Sequence, residues 1–509
     1  MNVGGMKRGV LVGLLLSVVC SLWAGGATSP KREFRGSWIQ CVNGQFQGLS
    51  PEQMRQRLTG QLDALQACGI NAVLFQVRAE GDALYKSTLE PWSRFLTGKQ
   101  GTAPEPSWDP LAWMVSEAHK RGMELHAWIN PYRAKTAGTQ ELATTHQYIQ
   151  HPERFFWYGD LLIFNPALQE NRDWICKVAE EIVQNYDVDG LHIDDYFYPY
   201  PQAGLQIDDE ASYRADPRGF DNIGDWRRDN VNRLIEQLHT TLRRVKPWVK
   251  FSVSPFGIYH NANGSDVPGS RTGGLQNYDD LYADVLLWIE KGWIDLNIPQ
   301  IYWQMGHPTA DYEELVCWWS ENASGRPLII GQDVERTVQY ADVHNPQSNQ
   351  MPSKLNLQRA KAPAGNCFWY SAALANDVGS YASALRTYYH RSPALQPLLS
   401  FIDDSTPRAP KGVKDIYTED GHILVWLEPK SRSWQDEPYR YVVYRFRKGK
   451  KQDLDDPSSI LAITSQTYLS LNGYDDSNTY TYVVTTLNRL SAESKGKKRK
   501  VKGLPAGRE

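Results

Sequence analysis

The sequence predicts an α/β fold, a (β/α)8 TIM barrel followed by a small all-β sandwich. Three observations carry this. Short apolar runs alternate with amphipathic stretches eight times between Glu33 and Tyr389. A Pro-rich break follows, with Pro393, Pro397, Pro407 and Pro410. Beyond it, short strand patterns recur with no helical period between them. Eight strand–helix units in series point to a closed parallel barrel. The rival, a doubly wound open sheet, calls for a Gly-rich phosphate fingerprint after the first strand, and none is there.

In chain order, the strands are expected at Phe34–Gln40, Ala72–Arg78, Glu124–Ile129, Gly190–Asp194, Lys250–Ser254, Ile294–Ile301, Leu328–Gly331 and Cys367–Tyr370. Helical spacing marks Pro51–Cys68, Pro110–Arg121, Glu170–Tyr186, Trp226–Val245, Tyr278–Lys291, Tyr312–Ser320, Lys354–Ala360 and a last stretch, Asp377–Tyr388. The segments after strands two to five are long and carry Trp92, Trp108, Trp157, Tyr198 and Tyr200. In such barrels these loops build the active face.

At 509 residues the chain is too long for one core. Residues 31–390 are assigned to the barrel, 391–411 to a linker and 412–505 to the sandwich. The net charge of -3 exerts no pull toward nucleic acid. The 18 Trp and 27 Tyr can fill a core or stack on sugar rings. Lys7 and Arg8 precede an apolar run, Val10–Val19, and small residues Ala24–Ala27 follow. This reads as a signal peptide over residues 1–27 and predicts export, to the periplasm or beyond. Cys20 ends the run as in a lipoprotein, although Val19 is bulkier than lipoprotein processing prefers. Membrane attachment through Cys20 is therefore the secondary expectation. Cys41, Cys68, Cys176, Cys317 and Cys367 are odd in number and show no CxxC spacing. Neither a disulfide framework nor a zinc site is indicated, and no cofactor is expected.

The chemistry is expected where strands end. Strand four closes on His192-Ile193-Asp194-Asp195-Tyr196. Alternation puts His192 and Asp194 on one face and Ile193 on the other. Asp194 then points into the barrel mouth, and Asp195 starts the loop. The next predicted helix begins only at Trp226, which argues against a capping role. At the end of strand two, Gln76, Arg78 and Glu80 share a face. Arg78 suits a carboxylate or a substrate anion, and Glu80 and Asp82 are partner carboxylates or a solvated turn. On strand three, His126, Trp128 and Asn130 alternate inward, with Tyr132 and Arg133 beyond. Hydrogen-bonding groups beside an indole face suit a sugar ring, while a satisfied core histidine is the structural alternative. Strand five leads into Ser254-Pro255-Phe256-Gly257, strand six ends in Gln300, Tyr302 and Trp303, and strand seven leads to Asp333.

Glycosidases generally use two carboxyl groups flanking the bond, ~5 Å apart when retaining and ~6.5–9.5 Å when inverting. Asp194 or Asp195 with Asp333 is one expected pair, and either aspartate with Glu80 is another. Asp194 is the nucleophile or general base in this reading. His126, His192, Asp194 and Asp195 are also metal-ligand types, but no HExxH or HxH spacing supports a metal.

Several of these blocks resemble the glycosyl-hydrolase-like family 10, formerly a domain of unknown function. They are residues 75–78, 81–85, 108–111, 118–122, 126–133, 189–199 and 299–303, in order. The resemblance spans Lys31–Tyr389 and implies a TIM-barrel hydrolase. One branch of the family includes a divisome-localised glycosidase acting on peptidoglycan glycan strands stripped of their stem peptides, and lipoproteins are common there. After the linker, His422–Leu427, Tyr439–Phe446, Ser459–Thr464 and Thr479–Leu487 read as short strands. Trp426, and Tyr480 ahead of Val483, resemble a fibronectin type III module. The basic stretch Lys495–Lys502 reads as a solvated edge strand. The expected function is an exported hydrolase of a polysaccharide, foremost peptidoglycan glycan lacking stem peptides. The alternatives are a glycan-binding protein without turnover and a metal-dependent hydrolase. The sandwich is a candidate surface for a protein partner.

Overall fold

A computed structural model describes residues 29–139, 141–419, 421–474 and 478–502. The expected export segment and Cys20 lie outside the described residues. Among the described residues, no helix is long and apolar enough to cross a membrane.

Eight parallel strands form the barrel: β1 (Phe34–Ile39), β2 (Ala72–Arg78), β3 (Glu124–Ile129), β4 (Gly190–Ile193), β5 (Lys250–Val253), β6 (Leu296–Asn297), β7 (Ile329–Asp333) and β8 (Gly365–Trp369). Their order is β7-β8-β1-β2-β3-β4-β5-β6. Isolated parallel bridges, Asn297 to Leu328 and Gln300 to Gly331, join β6 to β7 and nearly close the ring. The predicted sixth strand is cut to two residues, with Pro299, which has no N–H to give, in the segment beyond it.

Alternation divides each strand. Phe34, Trp38, Leu74, Trp128, Ile329 and Cys367 pack together inside the barrel. Val73, Phe75, Leu125, Ala127, Ile193 and Phe251 face the helices. The interior is also polar. Lys250 Nζ donates to Glu124 (2.8 Å), and His126 lies 3.1 Å from the same carboxylate. Gly190 makes room for this histidine, since a Cβ there would sit 2.3 Å from its Nδ1.

The outer helices include α1 (Pro51–Ala67), α2 (Pro110–Lys120), α3 (Gln169–Asn185), α4 (Ile223–Val245), α5 (Val285–Glu290), α6 (Tyr312–Glu321) and α7 (Met351–Lys361). Side-chain caps set several starts. Ser50, Asp109 and Asn222 accept from backbone N–H groups in the first turns of α1, α2 and α4. Each such cap is worth ~1 kcal/mol. The predicted helix over Tyr278–Lys291 is interrupted, with Tyr282 at φ 54° and Asp284 capping α5. The last predicted helix is likewise broken, at Asp377, Gly379 and Ser380, all at positive φ. An unpredicted antiparallel sheet of Arg133–Lys135, Phe155–Tyr158 and Leu161–Phe164 rises from the loop after β3.

The C-terminal region holds two antiparallel sheets. One contains β9 (Lys411–Thr418), β10 (Gly421–Leu427) and β13 (Tyr468–Ser470). The other contains β11 (Arg440–Arg447), β12 (Ile460–Thr464), β14 (Tyr480–Leu487) and β15 (Lys497–Val501). Leu424, Trp426, Tyr441, Val443, Tyr482 and Val484 form their shared core. The basic β15 is an edge strand, as its composition suggested. This region docks on the N-terminal ends of the barrel strands. Tyr439 donates to Asp189 just before β4, Arg440 donates to Met123 O (2.8 Å) just before β3, and Arg489 pairs with Asp187 (2.9 Å). The opposite end of the barrel is left open.

Candidate active site

At that open end the strand termini enclose a cavity of about 690 Å³, within the ~300–1,000 Å³ usual for ligand sites. Asp194 and Asp195 are its lining carboxylates, and Trp38, Trp128, Tyr196, Tyr302 and Trp369 supply aromatic walls. Trp369 stacks on Tyr302 (6.5 Å between centroids, 28°) and meets Trp38 and Trp128 at 6.3 and 6.4 Å.

Asp194 follows β4 directly and is 4% exposed. Trp128 Nε1 donates to its Oδ2 (3.1 Å), and Asn130 Nδ2 donates to both oxygens (3.0 and 2.9 Å). Asn130 is held in turn by Gln76 Nε2, which donates to its Oδ1 (2.7 Å). Burial pushes the Asp194 carboxyl up to about 7, with the Asp195 charge adding and Arg133 and Asn130 opposing. Asp195 is also raised by burial, while hydrogen bonds from Tyr200 and Gln300 pull it back. The pair therefore titrates as a unit and retains a proton well above the ordinary carboxylate range.

His192 lies one layer below and fixes the polarity of the floor. Its Nε2 faces Trp38 Nε1 (3.1 Å) and Ser254 Oγ (3.0 Å); its Nδ1 faces Ser252 Oγ (2.8 Å). Indole N–H is a donor only, so Nε2 is the acceptor and Nδ1 carries the proton. Burial holds this imidazole well below its usual range.

Asp194, Asp195, Trp128, Arg133, Tyr196, Gln300 and Tyr302 line the cavity together, and Asn130 reaches it through Asp194. Other expected site residues lie elsewhere. A register shift between Gln76 and Arg78 breaks the alternation of β2. Arg78 is rotated away from the mouth and binds Glu90 through two nitrogens (2.8 and 2.7 Å), completely buried. Glu80 follows it, fully buried, and is occupied by Arg94 (2.9 and 3.1 Å), Thr136 and Thr139. Asp82 closes the turn by accepting from Glu80 N (3.0 Å). Asp333 caps the helix Val334–Gln339 by accepting from Arg336 N (2.9 Å). His126 sits lower in the barrel on Glu124, and His192 lies beneath the floor. Tyr132 is buried in the outer core, and Trp303 packs on Phe256 (5.3 Å). Neither Glu80 nor Asp333 lines the cavity.

Trp38, Arg94 and Trp369 also line the cavity and were not singled out from the sequence. Trp38 was legible: it continues the inward set Phe34, Gly36 on a strand with a predicted register. Among the described residues, no group of three His, Cys, Asp or Glu side chains could hold a metal ion.

The family described as glycosyl hydrolase-like 10 matches residues 33–349. Glycosyl hydrolase YngK of Bacillus subtilis is 39% identical over 483 residues, 92% of this chain and 94% of that protein. Glycosyl hydrolase DigH of Escherichia coli K12 is 41% identical over 277 residues, 52% of this chain and 62% of that protein. The family match contains β4 and the aspartates that follow it. A barrel with buried carboxylates in an aromatic cavity, matched along nearly its whole length by a glycosyl hydrolase, is a glycoside hydrolase, and the chain belongs to the glycosyl hydrolase-like 10 family.

Proposed function

We propose that the enzyme cleaves a polymer of 2-acetamido sugars, foremost peptidoglycan glycan lacking stem peptides, with the Asp194–Asp195 pair as its catalytic centre. The observation that carries this is the pairing itself. The cavity-lining carboxylates are consecutive residues at one strand end, whereas a two-carboxylate mechanism needs groups on opposite sides of the bond. Consecutive acids suit a substrate-assisted reaction, an established exception to that rule.

In this reaction the protonated carboxyl of the pair gives its proton to the glycosidic oxygen as the C1–O bond breaks. The ionised partner orients the substrate's 2-acetamido group, whose carbonyl oxygen forms the new bond to C1. Water then opens the cyclic intermediate, and its proton returns to the carboxylate that acted as acid. One shared proton near neutral pH is what the step requires, and like charges side by side favour it. Trp128 and Asn130 hold Asp194 in place, and the Trp38, Trp369 and Tyr302 faces receive the sugar rings. The export expected from the sequence pattern of residues 1–27 would accord with a substrate in the cell envelope.

The test is incubation with amidase-stripped glycan strands, read by mass spectrometry. Shorter saccharides are expected. Intact strands after exhaustive incubation would overturn the substrate assignment. Aryl glycosides of N-acetylglucosamine then separate the roles: a good leaving group restores turnover to whichever Asp→Asn variant has lost the acid.

A further inference from the structure

We propose that Arg133 reads the free carboxylate of a 3-O-lactyl substituent on the bound glycan. The inference rests on the peptidoglycan reading above and identifies what selects strands without stem peptides.

Two guanidinium groups line the cavity. Arg94 is already neutralised, bound through Nε and Nη2 to the buried Glu80 at 2.9 and 3.1 Å. Arg133 differs. Among the described residues, no carboxylate lies within the 4.0 Å of a salt bridge to it. Its guanidinium lies over the Tyr196 ring, with Cζ 3.3 Å from the ring centroid. Stacking occupies the face of the plane, and one donor hydrogen-bonds the Tyr196 hydroxyl, which leaves the rest of the N–H edge without a carboxylate partner. That edge is a rigid fork matched to a carboxylate. The rotation of the fork is limited by the ring below it, so it is pre-organised for one direction of approach.

Arg133 stands beside the reacting groups, where it acts on both aspartates. A substituent it holds therefore belongs to a sugar at or next to the cleaved bond. In peptidoglycan glycan, alternate sugars carry a 3-O-lactyl group. When a stem peptide is attached, the lactyl carboxyl is an amide: neutral, and extended by a chain. When the peptide is removed, a carboxylate appears at that position. A guanidinium fork distinguishes the two by charge, because a charge-assisted bidentate pair is replaced by an ordinary neutral hydrogen bond.

The test compares two substrates of nearly equal size. One is stripped glycan with free lactyl carboxyls; the other is the same glycan after carbodiimide coupling to methylamine. The wild-type enzyme is expected to prefer the free acid in kcat/KM by about 10-fold or more. Arg133→Gln is expected to bring the ratio of the two substrates close to one, and Arg133→Lys to leave an intermediate ratio. A merely structural role for Arg133 would lower both substrates together and preserve the ratio. Preference for the free acid retained in Arg133→Gln overturns the inference, as does equal cleavage of both substrates by the wild type. Both of those outcomes leave the peptidoglycan reading standing. Failure of the wild type to cleave either strand overturns that reading and this inference with it.

Discussion

Replacing Asp194 by Asn tests the electrostatics of the site through the stability of the fold. Asp194 is 4% exposed, and its carboxyl moves from an ordinary 3.8 to about 7 in the folded protein. A raised pKa in the folded state means that the unfolded chain gives up the proton first. Stability is therefore fully present below the unfolded value and is lost as pH rises through the folded one. The interval from 3.8 to about 7, at 1.36 kcal/mol per unit, corresponds to about 4 kcal/mol, of which roughly 2–3 kcal/mol falls between pH 5 and pH 7. Asn carries no charge at any of these pH values, so the variant lacks this slope. It offers one acceptor oxygen where Asp offers two, and a donor from Trp128 or Asn130 loses its partner, a cost of about 1 kcal/mol that does not depend on pH. Asp194→Asn should accordingly be less stable than wild type near pH 4 and more stable at pH 8. Urea unfolding followed by Trp fluorescence, at half-unit steps from pH 4 to pH 8, measures the difference. A stability difference that stays constant within about 0.5 kcal/mol across that range would refute the reasoning.

Three further predictions follow from other parts of the molecule. Glu90→Gln removes one partner of the buried Arg78 ion pair and should cost about 3–5 kcal/mol; a Tm unchanged within 2 °C would contradict this. His192 should stay neutral with its proton on Nδ1 from pH 5 to pH 8, which ¹⁵N-histidine NMR of the labelled protein reads directly; an imidazolium signal at pH 6 would show the assigned network to be wrong. Tyr439→Phe removes the donor to Asp189 Oδ1 at the junction of barrel and sandwich, while Leu125 N still donates to Oδ2, a loss of about 1–3 kcal/mol, and it should lower Tm while leaving KM unaltered, since the junction lies at the far end of the barrel. A raised KM in Tyr439→Phe would mean that the junction reaches the site.

Much of the site was legible in the sequence because strand geometry is periodic. A four-residue strand with His192 inward places Asp194 inward too, and counting strands puts it at the mouth. The same rule carries Trp128 and Asn130 to Asp194. It fails on β2, where a register shift after Gln76 turns Arg78 and Glu80 away from the mouth. No residue type announces that shift; it depends on pairing with β3, which is information from another segment. Glu80 is claimed by Thr136 and Thr139, more than fifty residues on, in a loop whose path no local pattern reveals. Asp333 is a different case. An Asp immediately ahead of Val334-Glu335-Arg336 is a helix-start signal, and its capping role is legible in the local sequence. The aromatic floor was half visible: Trp38 follows from alternation, while the contact of Trp369 with Tyr302 arises only when β8 and the segment after β6 come together on the closed barrel.

In the proposed mechanism Asp194 and Asp195 carry the hydrolysis of the glycosidic bond. The most direct measurement is kcat for Asp194→Asn and Asp195→Asn, by release of reducing ends from stripped glycan strands, on protein shown by circular dichroism to be folded. Both variants are predicted to fall by about 10²-fold or more, the scale of general acid–base catalysis. Wild-type kcat in both variants would contradict the account and move the chemistry elsewhere.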